Sequence, residues 1–202
     1  MLIVTYNEIL VYSITSVYLV LGIYLTFKTK IEYNSYQKRS LCSSVLCFIY
    51  HESYAGFACY TAWCNIWPFF NLNDFLIFHY TLGFIGFFPA ISGVIIYFLY
   101  LKSIKSVPKA IGLDNNDLIT NGMFKISRNP NSLGRIIGLI GITLMGRSYY
   151  TLLVAILWIS LNHFNILIEE RHLENKFGNS YLNYCLLTPR YCKINGNHNN
   201  KK

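Results

Sequence analysis

Charge is what this chain has least of. Only 13% of its 202 residues are Asp, Glu, Lys or Arg, about half the roughly 25% of an ordinary soluble domain. Hydrophobic residues make up 53% and aromatics 17%. Acids are the scarcer sign, nine against seventeen Lys and Arg, which leaves a formal net charge of +8. A balance that basic suits a nucleic-acid binder when the cations gather on one face. Here they fall in short loops beside apolar runs and in the tail, where they set membrane orientation and meet anionic headgroups. The scarcity of charge therefore excludes an ordinary soluble domain. It predicts an integral membrane protein whose partner is the bilayer and not nucleic acid, and the long uncharged runs described below make it all-α.

Other absences narrow the reading. No Lys or Arg precedes the first apolar run, so that run is expected to remain as a helix and not to be removed as a leader. The six cysteines (Cys42, Cys47, Cys59, Cys64, Cys185, Cys192) include no Cys-x-x-Cys pair, and four lie in apolar segments. They read as small buried apolar residues before disulfides or metal ligands. No internal repeat, Ser/His/Asp order, phosphate-cradling loop or dinucleotide fingerprint is present. His79 and His163 have no partners at metal-ligand spacing, so no metal is expected. Asn195 to Lys202 is polar and Asn/Lys-rich, and it reads as a disordered tail.

Long apolar runs are what the chain does have. Ile9 to Phe27 is uncharged and close to the roughly 20 residues needed to cross a bilayer. A loop from Lys28 to Arg39 follows. A second helix is expected near 41–63, with a short turn around Trp67 and Pro68. Phe75 to Leu101 is a third span, and Pro89 within it removes one backbone donor. After a polar connection over Lys102 to Ser127, Leu133 to Met145 and Tyr149 to Ile168 form a hairpin joined by Gly146, Arg147 and Ser148. Gly134, Gly138 and Gly141 lie near one face of its first arm, where missing side chains permit close helix approach. About five spans with the N-terminus outside would put Lys30, Lys105 and Lys193 in the cytoplasm and Arg147 opposite.

Two polar signatures bracket the hairpin. Arg128 precedes Asn129-Pro130, an extended approach to a helix starting near Asn131, whose free N–H groups suit a carboxylate. A snorkelling interfacial arginine fits equally. At the other end Glu169 and Glu170 put carboxylates where cations are usual, unless the helix runs on into the cytosol. Glu170 shares a helix face with His163, seven residues back, and with Glu174, four ahead. That pattern suits a cationic ligand or a solvated face. His51 and Glu52 interrupt the second apolar stretch, and ionisable residues there mark either a site or a helix end.

The segments LITNGMFKISRNPNSLG and EERHLENKFGNSYLNYCLLTPR resemble the isoprenylcysteine carboxyl methyltransferase and phospholipid methyltransferase superfamily, particularly its small prokaryotic members. The resemblance implies a helical membrane enzyme that uses S-adenosylmethionine at the cytoplasmic side and a lipid-like acceptor from the bilayer. Carried over by position, the cofactor shell is Asn116, Asp117, Leu118, Ile119, Phe124, Asn129, Pro130, Asn131, Ser132 and Glu169. Arg128 and Glu170 fall at the catalytic positions and Asn165 at the substrate position. Three departures stand out: Asn129 replaces a histidine, Ser132 a tyrosine and Asn165 an arginine. The last weakens a prenylcysteine carboxylate as acceptor more than it weakens methyl transfer, and it favours a neutral or cationic acceptor.

The chain is accordingly divided into N-terminal transmembrane helices (1–110), a cofactor-binding region with the hairpin (111–192) and a polar tail (193–202). The membrane is the cytoplasmic one in a prokaryote or the endoplasmic reticulum in a eukaryote. Two other readings remain open, an NADPH enzyme resembling sterol reductases and a non-catalytic relative that binds lipid or a partner.

Overall fold

The computed structural model describes residues 6–36, 38–63, 76–104, 106, 109 and 117–192. Helices α1 (Tyr6–Tyr36), α2 (Leu41–Trp63), α3 (Leu76–Ile104), α4 (Pro130–Gly146), α5 (Tyr149–Phe177) and α6 (Asn179–Leu187) make up the architecture, with one 3-10 turn at Gly122–Lys125. Among the described residues there is no strand. The expected turn at Trp67 and Pro68, together with Asn116, Lys105 and Lys193, lies outside them.

Among the described residues, three helices are long and apolar enough to cross a membrane: Glu8–Tyr36, Tyr80–Ile104 and Tyr149–Phe177. Their outward faces carry large apolar side chains, such as Val20 at 68% and Phe84 at 66% exposure, which water would penalise and lipid does not. Helix α2 carries His51 and Glu52, and α4 has 17 residues, about 25 Å at 1.5 Å per residue.

Two helices outrun their apolar segments. Helix α1 continues through Lys28, Lys30 and Glu32 to Tyr36, and α5 continues past Ile168 to Phe177. Loss of hydropathy ends a span but not a hydrogen-bonded helix, so the polar turns stay helical outside the apolar layer. At the α1 end the Glu32 carboxylate accepts from Ser40 N at 3.2 Å and Ser40 Oγ at 2.7 Å, folding the chain directly into α2.

The closest helix contact is α3 on α4. Gly86 and Ala90 face Gly141, and Gly93 faces Gly134 and Gly138. A Cβ on Gly86 would stand 2.7 Å from the Gly141 carbonyl oxygen, so this crossing depends on missing side chains from both partners. The hairpin turns at Arg147, which takes φ 51° in the left-handed region, and Ser148 caps α5 by accepting from Thr151 N. Helix α5 packs Val154, Ala155 and Trp158 into a core with Val11 and Leu25 of α1 and Tyr50 and Phe57 of α2. Of the described cysteines, all free, only Cys47 is buried, and Cys42 and Cys59 point outward from α2. Cysteine burial thus departs from the sequence expectation, since apolar surroundings here include a lipid-facing surface.

Candidate functional site at the open end of the hairpin

The turn leading into α4 is built by hydrogen bonds to distant segments. Gly122 takes φ 61°, and Met123 N beside it donates to Ser103 Oγ of α3 at 3.0 Å. The Phe124 carbonyl accepts from Tyr184 Oη at 2.6 Å. Burial pushes the Tyr184 phenol up to about 12, so it stays a donor at physiological pH. Further along, Arg128 N donates to the Pro189 carbonyl at 2.9 Å, and Ser127 Oγ to the Arg190 carbonyl at 3.1 Å. Residues 188–191 therefore form a strap across residues 127–129. Tyr191 Oη fastens it to α5 by a 2.7 Å hydrogen bond with His163 Nδ1.

Pro130 opens α4 with a fixed φ and no N–H to satisfy. Asn129 precedes it at the N-cap, but its side chain makes no cap hydrogen bond. It reaches instead to Glu170 Oε1 at 3.1 Å and the Arg190 carbonyl at 3.3 Å. The first turn of α4 is thus left without a side-chain cap, which is the arrangement that receives an anion.

The two glutamates face different partners. Glu169 Oε1 accepts from Arg39 Nη2 at 2.8 Å. The Arg39 side chain is 10% exposed and stacks over Tyr33, which lies on His172 with ring centroids 4.1 Å apart. Burial works most strongly against the Arg39 charge, but Glu169 together with Tyr33, Cys47 and Glu32 outweighs it and raises the pKa. Glu170 is buried behind the turn, 3.6 Å from Arg128 and 2.7 Å from Arg190. The hydrogen bonds from Arg190 to Glu170 hold the Arg190 pKa above its usual value despite burial.

These elements enclose a cavity of about 220 Å³, just below the roughly 300–1,000 Å³ common for small-molecule sites. Asp117, Leu118, Ile119, Phe124, Arg128, Asn129, Pro130, Asn131, Ser132, Asn165 and Glu169 all line it. Glu170 is not on its wall and reaches it through Arg128 and Asn129. The same wall concentrates buried polar atoms that lack a protein partner: Asn131 Oδ1, Asn162 Nδ2, Asn165 Oδ1 and His51 Nδ1. Each such atom costs about 1–3 kcal/mol when left dry. Several around one cavity are what a polar ligand satisfies.

Sequence reasoning missed half of this wall. Tyr33, Arg39, Ser44 and Cys47 come from α1, α2 and the loop between them, and Asn162 and His172 from α5. In the sequence Arg39 is only a loop cation among those that orient the chain. Its one signal was position, the last cation before an apolar run and the one nearest that run. Asn162 Oδ1 accepts from Ser132 Oγ at 3.4 Å, so the position without its aromatic ring is filled by a polar contact between α4 and α5.

A family model described as phospholipid methyltransferase matches residues 78–180. No curated protein and no solved structure matches the chain.

Proposed function

Because this chain belongs to the phospholipid methyltransferase family, we propose that it transfers a methyl group from S-adenosylmethionine to a lipid-like acceptor at the cytoplasmic face of a membrane. One observation carries the reading. Polar signatures that the sequence separates by a whole hairpin, Arg128–Ser132 and Glu169–Glu170, meet at one end of the bundle around a cavity with unsatisfied polar walls.

The residues present fit the cofactor. Arg128 and the uncapped first turn of α4 suit its carboxylate. Glu169, whose hydrogen bond with Arg39 uses Oε1, suits its amino group or ribose. Asp117 extends the same rim, and Leu118, Ile119 and Phe124 offer an apolar wall to the adenine. Asn116 belongs to this shell by position. When bound, S-adenosylmethionine supplies an electrophilic methyl group on a sulfonium. Glu170 acts through Arg128 and Asn129 as a positioning residue, and Asn165, Asn162 and Ser132 face the acceptor. Positioning and exclusion of water carry most of the catalysis for such a displacement.

We further propose five spans, α1 to α5, with the cavity end cytoplasmic. Residues 111–192 hold the cofactor, and α1 and α2 close the cavity from the other side. Titration of the purified protein in detergent with S-adenosylmethionine, its demethylated product and NADPH tests the assignment. Saturable binding of the first two and none of NADPH is expected. Binding of NADPH, or of none, overturns it.

A further inference from the structure

An ion pair joins α2 and α4, two of the helices proposed to span the membrane. Glu52 lies midway along α2 and Arg135 in the second turn of α4, and Arg135 Nη2 donates to Glu52 Oε1. Tyr97 of α3 donates to the same carboxylate oxygen at 3.0 Å and lies beneath the guanidinium, 5.6 Å from its centroid. On the five-span reading these charges lie within the bilayer, where they are expensive and mark function by default.

The pair straddles the protein wall. Arg135 lines the cavity and is 15% exposed, whereas Glu52 is not part of that wall and is 39% exposed. Among the described residues, α2 and α3 each pack on α4 but scarcely touch one another, and the Glu52–Tyr97 hydrogen bond links them. Arg135 also has donors to spare, since its Nε is buried without a partner.

We propose that Arg135 is the headgroup receptor for the acceptor: an oxyanion on an amphiphile, phosphodiester or carboxylate, takes the donors Glu52 leaves free, with the tail leaving past Glu52 between α2 and α3. This rests on the methyltransferase reading only in calling the amphiphile an acceptor. Asn165 had argued against an anionic acceptor because it offers no cation. Arg135, on another helix of the same cavity, restores one. Glu52 is its resting counter-ion, keeping the guanidinium from being buried unpaired.

Calorimetric titration of the full chain in uncharged detergent tests this, using three amphiphiles of matched tail: a lysophosphodiester lipid, a thioether-linked carboxylate and an uncharged monoacylglycerol. At least one anionic amphiphile should bind about tenfold or more tightly than the uncharged one, and the preferred anion names the headgroup. Arg135→Gln should abolish that preference, Arg135→Lys should keep part of it, and Glu52→Gln should strengthen it. Equal binding of all three amphiphiles overturns the proposal, as does a preference that survives Arg135→Gln. If Arg135→Gln fails to fold, Glu52→Gln decides, since an unchanged preference there is also fatal. S-adenosylmethionine is titrated in parallel. Its failure to bind would sink the methyltransferase reading and leave an Arg135-dependent preference standing.

Discussion

Arg190 holds Glu170 through two nitrogens on one oxygen, Nε at 3.0 Å and Nη2 at 2.7 Å from Oε2, which leaves Oε1 to Asn129 and Arg128. One buried carboxylate thereby fixes the strap, the turn before α4 and the cavity arginine together. Glu170→Gln keeps the shape and removes the charge that two guanidiniums share. Because Arg190 is partly open to water, the loss should fall at the low end of the about 3–5 kcal/mol seen when a buried pair is broken. Thermal unfolding in detergent measures it, and cofactor affinity should fall with it. An unchanged melting temperature would show that the strap is held by its backbone contacts alone.

Glu169 and Glu174 are both acidic residues of α5, but only Glu169 lines the cavity. Glu169→Gln should weaken S-adenosylmethionine binding roughly tenfold, about 1.4 kcal/mol, a modest figure because the side chain is 39% exposed. Glu174→Gln, at an exposed position, should change affinity little. Equal losses would mean that a general surface charge and not a contact is being read.

The glycine face gives a prediction that separates two residues alike in sequence. A Cβ on Gly138 would meet Gly93 Cα at 3.8 Å, an ordinary contact, whereas one on Gly141 would collide with the Ala90 backbone. Gly138→Ala should be neutral or stabilise by up to about 1 kcal/mol through helix propensity. Gly141→Ala should cost about 1–3 kcal/mol or more, since α3 must move away. Matching unfolding curves for the two variants would refute the α3–α4 geometry.

Membrane orientation is open to direct labelling. Single cysteines at Lys125 and Arg147, in a background without exposed cysteine, should react with a membrane-impermeant reagent from opposite sides, position 147 from outside. Reaction of position 125 from outside would eliminate five spans with an outer N-terminus.

Much of this was legible in the sequence because it is local. Hydropathy placed α2 at its observed bounds and α3 within a few residues, Pro130 marked the start of α4, and the three glycines marked its close-packing face. What stayed hidden was non-local. The chain shows Glu52 as an oddity within an apolar run, but its partner is 83 positions away on another helix. Arg39 looks like any loop cation until α1 is seen to run on to Tyr36 and deliver it to Glu169. Their seven-residue spacing puts His163 and Glu170 on one helix face, and the structure adds what they share it for: Tyr191 and Arg190 of one strap.

That strap also fixes an order of assembly. Its partners at 127–129 and 163–170 belong to the hairpin, but the strap itself arrives only after α6. A chain inserting helix by helix therefore passes through a stage in which the lipid-facing core is packed and the polar mouth is still undone. Completing that mouth requires a non-local closure whose entropic cost grows only slowly with the length spanned, so it is late but not prohibitive. Newly made protein should pass from protease-sensitive to protease-resistant at its cavity end after its spans are already secure in the bilayer.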